Sequence, residues 1–282
     1  MNVIVTGSTG FVGGALVPKL SENHRVICPT RSESNLIAGP IDLDLLVKEN
    51  EVDLIIHLAH SRVYSLLSAM SEAILMIKNV LEVCRLNDLS LLYLSSLVMF
   101  SGHHDVQKIT SKLRPLPEST YGQAKLLCEQ LIETYRKLYG LRTVLLRPSY
   151  LYGPGMDTTR ALYKFVRKAA AQEPMTVHRY TNGFQVFDFL YIDDFVDAIL
   201  SSLESLPLDP VNVGTGTGTS MMELAQMIRV LTNSRSEIRI IDINSQTSKL
   251  VVDPTEAAAA LTWKPKIDLR SGLQILASTV GK

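Results

Sequence analysis

Tyr121 stands four residues before Lys125, Ser96 closes the run Leu91-Leu92-Tyr93-Leu94-Ser95-Ser96, and three glycines punctuate Thr6-Gly7-Ser8-Thr9-Gly10-Phe11-Val12-Gly13. Helix positions four apart project from one face, so a phenol and an ammonium become neighbours. A nearby ammonium favours phenolate over phenol and brings the tyrosine toward the range where it gives and takes a proton. The same lysine can hold ribose hydroxyls, and Ser96, at the end of an apolar run, can hydrogen-bond a substrate oxygen. The glycines follow Val3-Ile4-Val5 and lead into a helix-compatible run from Phe11 to Leu20. Strand, glycine turn and helix let the backbone approach a pyrophosphate at a helix amino terminus, where unpaired N–H groups point outward. A phosphate cradle together with a proton donor beside a cation points to hydride transfer to or from a bound nicotinamide.

The elements that must position these groups are legible in the amino-terminal half. Short β-rich runs alternate with helical periodicity, the mark of a parallel sheet covered by helices on both faces. Strands are predicted near 2–6, 25–29, 53–58, 90–95 and 142–147, with helices near 11–21, 64–87 and 119–139. This places Ser96 at the carboxyl end of a parallel strand, where open α/β sheets bind ligands. The fold class is α/β, a Rossmann-type doubly wound parallel sheet with a smaller, interwoven carboxy-terminal lobe. Gly153-Pro154-Gly155 breaks the alternation. The domains are read as 1–150, with 184–205 returning to it through a strand at Phe187 to Tyr191, and 151–282.

Composition narrows the partners. The 28 basic and 28 acidic residues are interleaved, so there is no electrostatic footprint for nucleic acid or an anionic membrane. Cys28, Cys84 and Cys128 lack the short paired spacing of a zinc or redox site and read as buried, reduced thiols. No metal site is expected. No apolar run reaches membrane-spanning length and the first strand begins at Asn2, so a cytoplasmic location is expected. Leu126, Leu127, Leu131 and Ile132 give the helix near 119–139 apolar residues on more than one face. One stripe covers the sheet, and a homodimer through the other is expected.

With these residues in order, the sequence resembles the extended short-chain dehydrogenase/reductase family, NAD(P)-dependent epimerases, dehydratases and reductases acting mainly on nucleotide sugars. The resemblance covers nearly the whole chain. It includes Asp53-Leu54-Ile55-Ile56-His57-Leu58-Ala59, Ser95-Ser96, Pro117 to Glu129, Leu146-Arg147-Pro148-Ser149 and Tyr152-Gly153-Pro154-Gly155. It continues through Asp188 to Asp194 and Asn212-Val213-Gly214-Thr215-Gly216, and closes at Trp263-Lys264-Pro265. It implies Tyr121 as acid/base, Lys125 as its electrostatic partner and ribose ligand, and Ser96 as the third catalytic group. The implied dinucleotide contacts are Gly7, Thr9, Gly10, Phe11, Val12 and Gly13 in the turn and Asp42 at the adenine amine. Leu43, Leu58, Ala59, His60, Tyr121, Lys125 and Pro148 complete them.

Departures from the family pattern bear on cofactor and substrate. Where NAD-preferring members carry an acidic residue, this chain reads Cys28-Pro29-Thr30-Arg31-Ser32; Arg31 and Ser32 suit a ribose phosphate, which favours NADP over NAD. Leu97-Val98 stand where dehydratases carry Asp-Glu, so dehydration is disfavoured. No cysteine closely follows Ser96, which disfavours epimerisation at an acidic carbon. Phe187 and Ile241 to Gln246 replace two expected diphosphate arginines, leaving Arg160, Arg179 or Lys249 to serve, or a substrate without a nucleotide. Ala73 takes the place of an asparagine that supports the lysine through water, and His60 stands where the active-site wall often has alanine.

The sequence therefore reads as an NAD(P)-dependent oxidoreductase acting on a secondary alcohol or ketone of a sugar-like substrate, foremost a nucleotide-sugar ketoreductase. One alternative is a nucleotide-sugar 4-epimerase that retains its cofactor. An alternative of another class is a non-catalytic NADP-binding redox sensor, against which the presence of Ser96, Tyr121 and Lys125 together argues.

Overall fold

The structure, a computed structural model, describes residues 1–61, 66–105 and 108–280. The chain runs β1 (Asn2–Thr6), α1 (Phe11–Leu20), β2 (Arg25–Ile27), α2 (Ile41–Glu49), β3 (Leu54–His57), α3 (Leu67–Leu86), β4 (Ser90–Leu94), α4 (Thr120–Tyr139) and β5 (Thr143–Pro148). It continues through β6 (Tyr150–Tyr152), α5 (Ala161–Ala170), β7 (Met175–Tyr180), β8 (Gly183–Phe184), β9 (Val186–Tyr191), α6 (Ile192–Ser205), β10 (Val211–Val213) and β11 (Gly218–Ser220). The last elements are α7 (Met221–Leu231), β12 (Ile238–Ile243), β13 (Lys249–Leu250), α8 (Pro254–Leu261) and α9 (Leu269–Thr279).

Two compact units emerge: Met1–Phe100 with Arg114–Arg147 and Ile199–Val211, and Ser101–Leu113 with Pro148–Ala198 and Asn212–Lys282. The first is built on the large sheet, ordered β10-β5-β4-β3-β1-β2, with β1 through β5 paired in parallel. Its strands read as continuous apolar runs because both faces are covered. Val3, Ile4, Val5, Ile55, Ile56 and Leu92 are fully buried, each stabilising the sheet by about 1.5–3 kcal/mol relative to exposure. The order reverses between β1 and β3, so the crevice beyond their carboxyl ends is the place where such sheets take a ligand.

α4 is fixed at both ends by local chemistry. The Ser119 hydroxyl accepts from the Gly122 N–H at 3.1 Å, and Gly140, at φ +68°, turns the chain out while its N–H reaches the Arg136 carbonyl. Gly122, Ala124, Lys125, Cys128, Glu129, Ile132 and Tyr135 form the buried face of α4. Leu126, Leu127 and Leu131 are half-buried, and Leu131 packs on the core shared with α3.

The second unit holds two small sheets, β11-β9-β13 with β6 on β9, and β12-β7-β8. Asp188 is its buried staple: the carboxylate accepts from Thr215 N–H and Oγ1, from Gly216 N–H, and from Val252 N–H. Asp194 plays the same part for the last segment, accepting from the N–H groups of Lys266 and Ile267.

Several expectations change. The strand at Phe187 to Tyr191 does not return to the large sheet; β9 pairs with β6, β11 and β13, and the chain rejoins the first unit only at Ile199 rather than at 184. α2 was not anticipated, because its run Ile41–Glu49 is short and lacks a side-chain cap. Cys28 is exposed, since β2 ends one residue before it, whereas Cys84 and Cys128 are buried. The start of the helix predicted from 64 lies outside the described residues, and α3 begins at Leu67.

Candidate active site

The glycine turn is shaped by backbone contacts. Gly7 sits at φ +74°, a conformation that a side chain disfavours, and a Cβ there would lie 2.7 Å from the Ala59 nitrogen. A Cβ on Gly13 would lie 2.5 Å from the Gly7 carbonyl oxygen and 2.6 Å from Ser8 Cα. The turn therefore folds against both the β3 exit and the first turn of α1. Gly10 caps α1 with no side-chain hydrogen bond and no acidic residue follows in the first turn, so the helix amino terminus carries uncompensated positive potential. A cradle that any Cβ would fill, under an uncapped helix end, fits the pyrophosphate of a dinucleotide.

Beside it, the large sheet carries one polar row. Thr6, His57 and Tyr93 occupy the same register position on β1, β3 and β4. Thr6 Oγ1 and His57 Nδ1 are 2.7 Å apart, and the His57 ring stacks on Tyr93 at 5.9 Å. His57 is buried, which pushes its pKa down to about 3, with the Lys125 charge adding to the effect of desolvation.

α4 lays Lys125 over this row. Its ammonium donates to the Leu94 carbonyl at 2.6 Å and to the Tyr93 hydroxyl at 3.3 Å, and sits 4.7 Å from the Tyr93 ring centre. Burial pushes the Lys125 pKa down to about 8, opposed by Cys128 and Glu129 on the next turn. Glu129 is held by Arg147 through two bonds of 2.9 and 2.5 Å, a buried pair that closes the end of β5. Tyr121, one turn before Lys125, is half-buried with its ring centre 5.8 Å from the ammonium. The His60 ring meets Tyr121 edge-on at 5.0 Å; His60 Nδ1 lies 3.1 Å from the Ser61 carbonyl, while its Nε2 is buried without a hydrogen-bond partner among the described residues. Desolvation holds His60 down at about 4. Ser96 is half-buried just past β4, where its Oγ accepts from the Val98 N–H at 3.2 Å.

The structure thus places Tyr121 beside both Lys125 and His60, and sets Leu58 and Ala59 against the glycine turn. Thr9 is exposed, and Phe11 and Val12 are half-buried in the first turn of α1. Arg31, Ser32 and Asp42 are exposed, on the turn after β2 and the first turn of α2. Leu43 is wholly buried in the hydrophobic core, so its side chain serves packing and offers no surface to a ligand. Pro148 ends β5, is buried, and falls in the second unit. In that unit Phe187 packs with Tyr150 and Phe189, Arg160 lies 5.4 Å over the Tyr150 ring, and Arg179 is paired with Asp242 at 2.7 Å. Ala73 is buried in the core beneath α3. Sequence reasoning missed Tyr93, His57 and the Glu129–Arg147 pair; the signal was the isolated polar tip in each apolar strand.

Comparison with known proteins bears on the family and the fold. The chain is 27% identical to UDP-glucuronic acid decarboxylase 5 of Arabidopsis thaliana, over 98% of this chain and 88% of that protein. It is 28% identical to a putative UDP-glucose 4-epimerase of Methanocaldococcus jannaschii, over 96% of each. The crystal structure of UDP-glucose 4-epimerase from Thermotoga maritima, solved with UDP-glucose, superposes with a TM-score of 0.86 at 26% identity, covering 99% of this chain and 98% of that one. The model of the NAD dependent epimerase/dehydratase family matches residues 3–214, from the strand that precedes the glycine turn to the residue that follows β10, and the chain belongs to that family.

Proposed function

We propose that this protein interconverts a secondary alcohol and a ketone on a nucleotide-linked sugar, using a bound NAD(P), with Tyr121 as acid and base. The observation that carries the reading is the buried Lys125 ammonium facing Tyr121 beside the glycine turn. The nicotinamide supplies the hydride acceptor and donor when bound. The glycine turn and the α1 amino terminus hold the pyrophosphate. Lys125, charged at neutral pH with its pKa near 8, holds the ribose hydroxyls and stabilises a phenolate on Tyr121. Tyr121 takes the proton from the alcohol as the ketone forms and returns it in the reverse direction, and Ser96 Oγ steadies the reacting oxygen. The first unit carries the residues proposed for the dinucleotide and the reaction.

Epimerisation at the sugar C4 with retained cofactor is supported by the 4-epimerases among the relatives. A second reading, a nucleotide-sugar ketoreductase that prefers NADP, is supported by the exposed Arg31 and Ser32 after β2. The test is to incubate the purified chain with UDP-glucose and with UDP-glucuronic acid, following reduced nicotinamide by absorbance and the products by chromatography. The C4 epimer with flat absorbance identifies the epimerase, and sustained absorbance change identifies the ketoreductase. Loss of carbon dioxide from UDP-glucuronic acid would place the chain with the decarboxylases. A cofactor-loaded protein inert toward nucleotide sugars would overturn the proposal in favour of the redox-sensor reading.

A further inference from the structure

The part of β4 that faces Lys125 is not explained by packing. Leu91, Leu92 and Leu94 are apolar, yet Tyr93 places a phenol in the buried face of the sheet, where an unpaired hydroxyl carries a desolvation cost. The Lys125 ammonium donates to the Tyr93 oxygen at 3.3 Å. An ammonium can only donate, so the phenol oxygen presents a lone pair to it. Leu94 supplies a second acceptor from the same strand at 2.6 Å. Two of the three ammonium hydrogens are then directed into β4, and tetrahedral geometry sends the third away from the strand.

We propose that Tyr93 is the positioning residue for Lys125: its hydroxyl holds the ammonium charged and, with the Leu94 carbonyl, aims the remaining N–H away from β4. The proposal rests on Lys125 serving the proposed reaction, but the arrangement is testable without turnover. The strand that clamps Lys125 continues directly into Ser96, so one strand sets the places of both groups. Other ionisable groups that act on this ammonium or its neighbours are Tyr121, Cys128 and Glu129 on α4, the last paired to Arg147 of β5, and His57 and His60 at the end of β3. Both imidazoles are neutral at pH 7, so the Tyr93 dipole and the Leu94 carbonyl are the groups in direct hydrogen-bond contact that favour the charge.

The experiment is a pH titration of the Lys125 resonance in full-length protein labelled with carbon-13 at lysine Cε, the signal assigned by its loss in Lys125→Arg. Tyr93→Phe keeps the ring beneath the ammonium and removes only the hydroxyl. The midpoint is expected near 8 in the unchanged protein and about half a pH unit to one unit lower in Tyr93→Phe. The basic limb of kcat/KM should move with the resonance. An unmoved midpoint in Tyr93→Phe overturns the proposal. Should that variant not fold, by circular dichroism, an unmoved midpoint in Tyr93→Leu, which matches the flanking Leu92 and Leu94, overturns it instead. A shifted resonance in a protein without turnover would retain the positioning role while rejecting the proposed reaction.

Discussion

Lys125 is an ammonium that burial would neutralise at mildly alkaline pH and that neighbouring acceptors keep charged at neutral pH. Its two hydrogen bonds go to β4, and its charge faces Tyr121 at 5.8 Å. Under the proposed assignment, Tyr121→Phe removes the proton carrier but leaves the ring against His60 and the cofactor cradle intact. Turnover is expected to fall by about 10²–10⁴-fold, while cofactor affinity measured by fluorescence titration stays within about twofold. Turnover that persists would reject Tyr121 as acid/base. Arg31 is exposed and makes no hydrogen bond or ion pair among the described residues, so its guanidinium is available to a ribose phosphate. A charge-assisted contact of this kind is worth about 1.5–3 kcal/mol, so Arg31→Ala should weaken NADP binding by about 10–150-fold and leave NAD binding nearly unchanged. Equal effects on the two cofactors in a calorimetric titration would reject Arg31 as a ligand of the ribose phosphate.

At the scale of elements, the glycine turn and α4 do different jobs. The turn brings backbone close to backbone, and α4 supplies side chains from one buried face. A methyl group on Gly13 meets the Gly7 carbonyl oxygen and Ser8 Cα, both backbone atoms that cannot swing aside. Gly13→Ala should therefore lower stability by about 1–3 kcal/mol in urea unfolding and weaken cofactor binding at least tenfold. Normal stability and affinity in this variant would mean that the turn is looser than its contacts imply. Elements were legible where one signal dominated. Val3-Ile4-Val5 before glycines gave β1, and helical periodicity near 119–139 gave α4 at Thr120–Tyr139. The polar row Thr6, His57 and Tyr93 was hidden because register across three strands is a tertiary property. The Glu129–Arg147 pair was hidden too, since its partners are brought together only when α4 packs on β5. β9 was misplaced for a related reason: an apolar strand pattern reveals burial but not which sheet supplies the neighbours.

At the scale of the whole molecule, the buried polar row makes folding sensitive to acid. His57 is held near 3 and His60 near 4, both by desolvation first and by the Lys125 charge second. Each is a base whose folded pKa lies below its unfolded value of about 6.5, so the unfolded chain binds more protons between the two values. Stability from each is fully present above pH 6.5 and is lost as pH falls toward the folded value. Lys125 is also depressed, to about 8, but between pH 5 and 7 it is protonated both folded and unfolded and adds no slope. Its own effect lies between pH 8 and about 10.5, where stability rises as the folded ammonium is relieved of its charge. The acid slope therefore isolates the two imidazoles. Between pH 7 and 5, His57 should cost about 2 kcal/mol of stability, and the partly exposed His60 less because water screens its charge. His57→Gln keeps a polar side chain beside Thr6 but cannot take up a proton. Urea unfolding at pH 7, 6 and 5 should show the variant losing less than half as much stability as the unchanged protein. Parallel losses in the two proteins would mean that His57 accepts its proton within the folded sheet, and that the row beneath Lys125 is wetter than its burial implies.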